Sequence, residues 1–436
     1  MGFAVQRTSR SYVRPSAPTP PGTLELSIIN RVVGLRHLVR SLHVFAAPPA
    51  AGEVVVGTKP RPPPRVVIRE ALGKALVDYY PFAGRLVDGA EGPAGARVEC
   101  TGEGAWFVEA VAGCSLDDAG QLDQYPFAIP EGDLLPTPPP ASSRSTSRSW
   151  CRVNMVTEFT CGGFVVGLIS CHTLADGLGA GQFVNAVGDY ARGLPKPRAT
   201  PIWARDLIPS PPKLLSAPPP FPRMFQFQHF TVDLAAGSIS KAKSQFLRAT
   251  GQRCSTFDAA VAMAWRARAR SLRLAVADPS APVKLCFFAN TRHLTRGGAA
   301  GFYGNCFYPV TVTAASGAVG RADVAGVVGM VRDAKARLGA EYARWAAGEM
   351  AEQDPYELSF TYETLFVSDW TRLGFMEADY GWGTLSQVIP FAYHPCMPVA
   401  IVGAPPAPRA GVRIMTRCVE EDHLPAFKDE MKAFEK

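Results

Sequence analysis

The chain has 436 residues, 47% of them apolar and 19% charged, enough for two or three domains that each bury a core. Its net charge of +7 comes without a lysine- or arginine-dense tract, which suits a pocket for an anionic co-substrate better than a nucleic-acid face. The ten cysteines include no C-x-x-C pair, so neither a metal site nor a disulfide scaffold is expected, and a reduced cytoplasmic protein fits.

The N-terminus MGFAVQRTSRS has no apolar signal segment and no Ser or Thr at its sixth position, so neither secretion nor myristoylation is expected. In VVIREALGKALVDYY, the apolar residues Ile68, Ala71, Leu72, Ala75 and Leu76 follow helical spacing, and Pro81 stops the helix. Val153 to Thr160 and Phe164 to Cys171 predict two strands joined by CGG. The second is apolar on both faces and therefore central, yet far too short to span a bilayer. Phe183, Val184, Val187, Tyr190 and Ala191 then mark a helix ending at Gly193.

Ten prolines between Pro195 and Pro222 predict an extended crossover between two halves. Beyond it, CSTFDAAVAMAWRARARSL predicts a helix capped by Ser255, with Asp258 at the return position and N–H groups in the first turn suited to an anion. VKLCFFANTR predicts a buried strand ending at Asn290, Thr291 and Arg292. Leu424, Phe427, Met431 and Phe434 mark a closing amphipathic helix.

The stretch SCHTLADGLGAG joins the central strand to the helix behind it, and the chemistry is expected there. Neutral imidazole at His172 titrates near physiological pH and is able to take a proton from an alcohol and pass it on. A sharp bend through Ala175, Asp176 and Gly177 either returns Asp176 beneath the histidine or turns it toward a basic partner. A satisfied core histidine in a tight turn would show the same letters. No G-x-S-x-G elbow is present. Cys171 points to the opposite face of the strand from His172, so it is expected to be an inert thiol.

YYPFAGRL, HTLADG, NTR and ADYGWG, in that order along the chain, resemble the plant BAHD acyl-CoA-dependent acyltransferases along nearly its whole length, with Tyr380 where the family has phenylalanine. Longer stretches, among them LSIINRVVGLRHLVRSLH and ELSFTYETLFVSDWTRLGF, resemble the grass p-coumaroyl-CoA:monolignol transferases. The resemblance implies an α/β fold of two chloramphenicol-acetyltransferase-like domains, each a mixed sheet flanked by helices, with a channel between them. The expected limits are 1–194 for a domain carrying HTLADG, 195–222 for the crossover, and 223–436 for a domain carrying NTR and DYGWG.

It further implies direct transfer of a hydroxycinnamoyl group, p-coumaroyl foremost, from CoA to a monolignol hydroxyl. The alternatives are a feruloyl, benzoyl or acetyl donor, a cell-wall sugar acceptor, or an impaired protein that only binds CoA esters. His172 is the expected general base, and Trp382 a candidate contact for the oxyanion. Asp176, paired with Arg292, would support the site, as would Asp379, Gly381 and Gly383. CoA would meet Ser255, Thr256 and Lys213. Acyl-CoA and a small aromatic alcohol are the expected partners of a monomer with no metal, no resident cofactor, no nucleic acid and no membrane.

Two departures stand out. Asn30 replaces a family aspartate, and a loss of stability is expected. The segment Pro138 to Phe159, with Arg144, Arg148 and Arg152, stands where relatives carry an apolar stretch. With GC-rich codons assumed for Ala141 to Cys151, moving the reading frame by one nucleotide can give such a stretch, so a compensated frameshift or a sequencing error is one account. If the arginines are real, a strand edge or interface loses apolar burial.

Overall fold

The computed structural model describes residues 3–47, 61–89, 92–139, 148–212, 222–295, 298–391 and 394–435. In chain order the strands of the first half are β1 (Val5–Val13), β2 (Thr23–Glu25), β3 (Leu38–Phe45), β4 (Arg85–Gly89), β5 (Gly92–Glu99), β6 (Ala105–Ala112), β7 (Arg148–Trp150), β8 (Arg152–Glu158) and β9 (Phe164–Cys171). The rest are β10 (His229–Leu234), β11 (Pro282–Asn290), β12 (Phe307–Ala315), β13 (Thr364–Asp369), β14 (Gln387–Pro390), β15 (Val399–Gly403) and β16 (Val412–Arg417). The helices are α1 (Pro64–Asp78), α2 (Glu131–Leu134), α3 (Gly177–Ala191), α4 (Ala236–Thr250), α5 (Thr256–Ser271), α6 (Leu274–Ala277), α7 (Ser316–Arg321), α8 (Val324–Ala346) and α9 (Leu424–Lys432). Among the described residues, no helix is long and apolar enough to cross a membrane.

Contacts divide the chain into two compact units. The first is residues 1–208, 299–305 and 372–392, and the second is 209–298, 306–371 and 393–436. This differs from the expected single boundary, because ADYGWG belongs to the first unit rather than to a C-terminal domain. The physical reason is β14. Its backbone groups would stand unpaired alone, and they are satisfied antiparallel against β3, from Gln387 opposite Val44 to Pro390 opposite Ser41.

The first unit is built on a mixed six-stranded sheet in the order β1-β6-β8-β9-β3-β14, in which only β6 and β8 run parallel, with a smaller β2-β5-β4-β7 sheet beside it. β9 reads FVVGLISC because both its faces are covered, and all its residues but Ser170 are buried. The rings of Phe45 and Phe164 stack at 4.5 Å across β3 and β9. Tyr79, Phe82, Phe183 and Tyr303 form a buried aromatic cluster with centroids 4.7–5.9 Å apart along its close contacts.

The second unit carries a mixed six-stranded sheet, β10-β16-β15-β13-β11-β12, in which β13 pairs parallel with both β11 and β15. Its central helix, α5, is buried along most of its length, with Trp265 and Arg268 each 1% exposed. Arg268 is tolerated there because its Nε donates to Cys418 O at 2.8 Å and its Nη2 donates to Tyr362 O.

Of the divergent segment, residues 140–147, including Arg144, lie outside the described residues. Arg148 falls in β7, which pairs with β4. Arg152 is 3% exposed, with its guanidinium 4.6 Å from the Phe183 ring and its Nε donating to Asn154 Oδ1 at 3.1 Å. Burial pushes its pKa down to about 10.

Candidate active site

His172 follows directly on β9, where the chain leaves the sheet. Its backbone N–H donates to His37 O at 3.0 Å, which continues the pairing of β9 with the segment entering β3. The two rings are 5.1 Å apart and tilted by 50°. The His172 side chain is half-buried. Burial lowers its pKa, against opposing effects from its own backbone carbonyl, from Asp176 and from Asn305. In the neutral imidazole one ring nitrogen carries the proton and the other keeps a lone pair able to accept one.

Asp176 ends the turn as the N-cap of α3. Its Oδ1 accepts from Gly179 N at 2.9 Å, and the residue is 7% exposed. The glycines that follow answer to sterics. A Cβ at Gly179 would lie 1.9 Å from Tyr303 O, and one at Gly181 would lie 1.8 Å from Leu373 O. The first turn of α3 is therefore pressed against two distant backbone segments of the same unit.

Cys171 is buried, and burial raises its thiol pKa, which removes nucleophilic character at neutral pH.

Asp379 organises the ADYGWG turn: its Oδ1 accepts from Gly381 N at 2.6 Å and from Gly383 N at 3.1 Å, and Arg192 lies 3.6 Å away. Gly381 and Gly383 adopt φ of +95° and +90°, a region closed to most side chains. Trp382 does not meet the expectation of an oxyanion contact. Its ring packs 5.6 Å from Phe164, with the Arg61 guanidinium 3.7 Å from its own centroid. Phe164 opens β9 and His172 follows its end, roughly 26 Å apart along an extended strand. Trp382 is a packing residue at the far end.

Ser255 and Thr256 stand in the second unit at the start of α5. Ser255 Oγ accepts from Asp258 N at 3.1 Å, and Asp258 Oδ2 accepts from Ser255 N at 2.8 Å, the reciprocal cap predicted from sequence. Asp258 is 1% exposed. Burial opposes its ionisation, but Lys335, 2.8 Å away, and the Ser255 amide outweigh it and hold the carboxyl below its ordinary value. This N-terminus already carries a carboxylate, offset by Lys335. Lys213 lies outside the described residues. Arg292 lies in the second unit, on the turn after β11, where its N and Nη1 donate to Asn290 Oδ1 at 3.1 and 3.3 Å. Among the described residues, no cluster of His, Cys, Asp or Glu is arranged to hold a metal.

Two contributors escaped sequence reasoning. Asn305, 0% exposed, donates from Nδ2 to His172 O at 2.8 Å and to Thr173 O at 3.2 Å. It comes from GFYGNCF, 133 positions beyond His172, and a lone carboxamide leaves no spacing signal. Asn30 is 2% exposed and donates from Nδ2 to Thr173 O at 2.5 Å. An amide facing a carbonyl is a bond that an ionised carboxylate cannot make.

The model of the Transferase family matches residues 3–434. The chain belongs to this family, that of the BAHD acyltransferases. Acyl transferase 4 of Oryza sativa subsp. japonica is 66% identical, with both chains covered at 100%. Myricetin 3-O-glucosyl 1,2-rhamnoside 6'-O-caffeoyltransferase AT2 of Crocosmia x crocosmiiflora is 35% identical, also at 100% of both. TRI101 of F. graminearum, solved with coenzyme A and T-2 mycotoxin, superposes with a TM-score of 0.74 at 15% identity, covering 95% of this chain and 99% of that one. At that identity the likeness establishes the fold, the two-domain chloramphenicol-acetyltransferase type. The protein is an acyl-CoA-dependent acyltransferase.

Proposed function

We propose that this acyltransferase moves a hydroxycinnamoyl group, p-coumaroyl foremost, from CoA to the hydroxyl of a monolignol, with His172 as general base. The observation that carries the base assignment is the half-buried His172 ring at the end of β9, its pKa lowered by burial. Nε2 takes the proton of the acceptor hydroxyl as the oxygen attacks the thioester carbonyl carbon. The new C–O bond gives a tetrahedral oxyanion. Its collapse breaks the C–S bond, and the leaving thiolate takes the proton back from Nε2. No acyl-enzyme is needed, and the shielded Cys171 fits that.

The hydroxycinnamoyl donor rests on the likeness to the monolignol transferases, and a caffeoyltransferase relative carries the same chemical class. That relative acts on a glycoside, so sugar acceptors belong in the test. CoA phosphate contacts at Ser255 and Thr256 are part of the proposal, with Lys335 rather than the cap hydroxyl as the local positive charge. An ion pair between Asp176 and Arg292 is tested by a double-mutant cycle. Purified protein is assayed with p-coumaroyl-, feruloyl-, caffeoyl-, acetyl- and benzoyl-CoA against coniferyl alcohol, sinapyl alcohol and sugar acceptors. The expected result is the highest kcat/KM for p-coumaroyl-CoA with a monolignol. A preference for acetyl-CoA or for a sugar would overturn the substrate assignment. No turnover with any pair, alongside measurable CoA-ester binding, would overturn catalysis itself.

A further inference from the structure

The turn that carries His172 exposes three successive backbone carbonyls, those of residues 172, 173 and 174. Asn305 Nδ2 takes the first two, at 2.8 and 3.2 Å. Asn30 Nδ2 takes the second and reaches toward the third, at 2.5 and 3.5 Å. The orientation of Asn30 is settled by the Thr173 carbonyl, which only accepts and so calls for the NH2, while Ser27 Oγ donates to Asn30 Oδ1 at 2.6 Å on the other side. Thr173 is fixed from its side chain too, its Oγ1 donating to Leu35 O at 3.2 Å. All of these residues lie in the first unit.

We propose that Asn30 and Asn305 form a carboxamide clamp that positions the catalytic imidazole, acting through the His172–Leu174 carbonyls rather than on substrate. The proposal rests on the assignment of His172 as base. The His172 carbonyl receives the Asn305 amide, and the Thr173 carbonyl receives both amides. The direction of these peptide planes sets the direction of the His172 Cα–Cβ bond, and so where the ring is aimed. A peptide plane held by a single donor is able to rotate, whereas planes held by two amides that share the Thr173 oxygen are not.

The clamp needs donors. An ionised carboxylate at position 30 or 305 has none, and would set negative charge against carbonyl oxygens at positions that are 2% and 0% exposed. Asn30 is therefore part of the scaffold of the catalytic turn in this chain. Placing an aspartate at position 30 is the sharpest test.

The isosteric variants Asn30→Asp and Asn305→Asp, with Asn305→Ser as a smaller replacement that still folds if the buried charge is not tolerated, are compared with wild type and His172→Ala. Three readouts are taken: kcat and KM for acyl-CoA per folded molecule, melting temperature, and the imidazole 15N shifts of His172. The clamp predicts a fall in kcat of about 100-fold, the scale of a misplacement of about 1 Å, with KM for acyl-CoA within about threefold. It also predicts imidazole 15N shifts moved away from the wild-type values. Unchanged shifts, with kcat per folded molecule equal to wild type and only the melting temperature lowered, would overturn the clamp and leave a structural role. If His172→Ala retains turnover, the base assignment fails by itself, whatever the asparagine variants do.

Discussion

At the scale of single residues, the imidazole and the groups around it set the first predictions. His172→Ala is expected to lower kcat by at least about 100-fold, the lower end for a lost general base, with melting unchanged within a degree or two. Turnover near wild type would remove the assignment. Because burial lowers the His172 pKa below 6.5, its neutral form persists into mildly acidic solution. The acid limb of kcat/KM is expected below pH 6.5, and a limb at or above pH 7 would contradict a buried neutral base. Arg152 makes the opposite kind of case. It is a buried cation on β8 whose neighbours are a ring, an amide and Tyr380. Replacing buried ion pairs with apolar side chains of similar volume is often neutral or stabilising by about 1–4 kcal/mol, and the same desolvation cost weighs on this cation. Arg152→Leu is expected to raise the melting temperature, and a fall would show that its hydrogen bonds outweigh the burial of charge. Position 30 shows where single letters mislead: a missing carboxylate is visible in sequence, but the carbonyl it would have faced is 143 residues away.

At the scale of elements, the link from β9 to α3 was the most legible part of the chain. Strand, turn and helix all follow from local periodicity, and the predicted Phe164 to Cys171 matches β9 residue for residue. What local periodicity lacks is the reason for the glycines. Gly179 and Gly181 are small because backbone from residues 303 and 373 passes within 2 Å of where their Cβ atoms would stand. Gly179→Ala is therefore expected to cost on the order of 3 kcal/mol, the upper range for overpacking, and to shift the catalytic turn with it. Differential scanning calorimetry checks this, and a wild-type melting temperature would show that the helix slides freely. Asp176 separates two roles at the same joint. Asp176→Ala removes the cap and is expected to cost about 1 kcal/mol. Asp176→Asn keeps the cap, so any fall in kcat there reports the lost charge beside His172.

At the scale of the whole molecule, burial of histidine links stability to pH. The His43 pKa is pushed down to about 3 by burial and then by Arg152, and that of His229 to about 4 by burial and then by Arg417. Between those values and about 6.5 the unfolded chain binds protons at these sites that the folded chain does not. Stability is therefore full above about pH 6.5 and falls as the pH drops through that window. Urea midpoints at pH 7.5 and pH 5 should differ clearly, and equal midpoints would mean that the two imidazoles are not buried in solution.

The sequence by itself determined the strands and helices around the catalytic turn, the cap at Ser255, the histidine and the family, because each is written in a local period or a contiguous motif. Only the tertiary structure decided that ADYGWG and Asn305 belong with HTLADG, that Trp382 packs at the far end of β9, and that Asn30 holds a carbonyl. Those are pairings of unsatisfied backbone and side-chain groups separated by more than a hundred residues. A donor and its acceptor at that distance carry no mark of one another until the chain has closed.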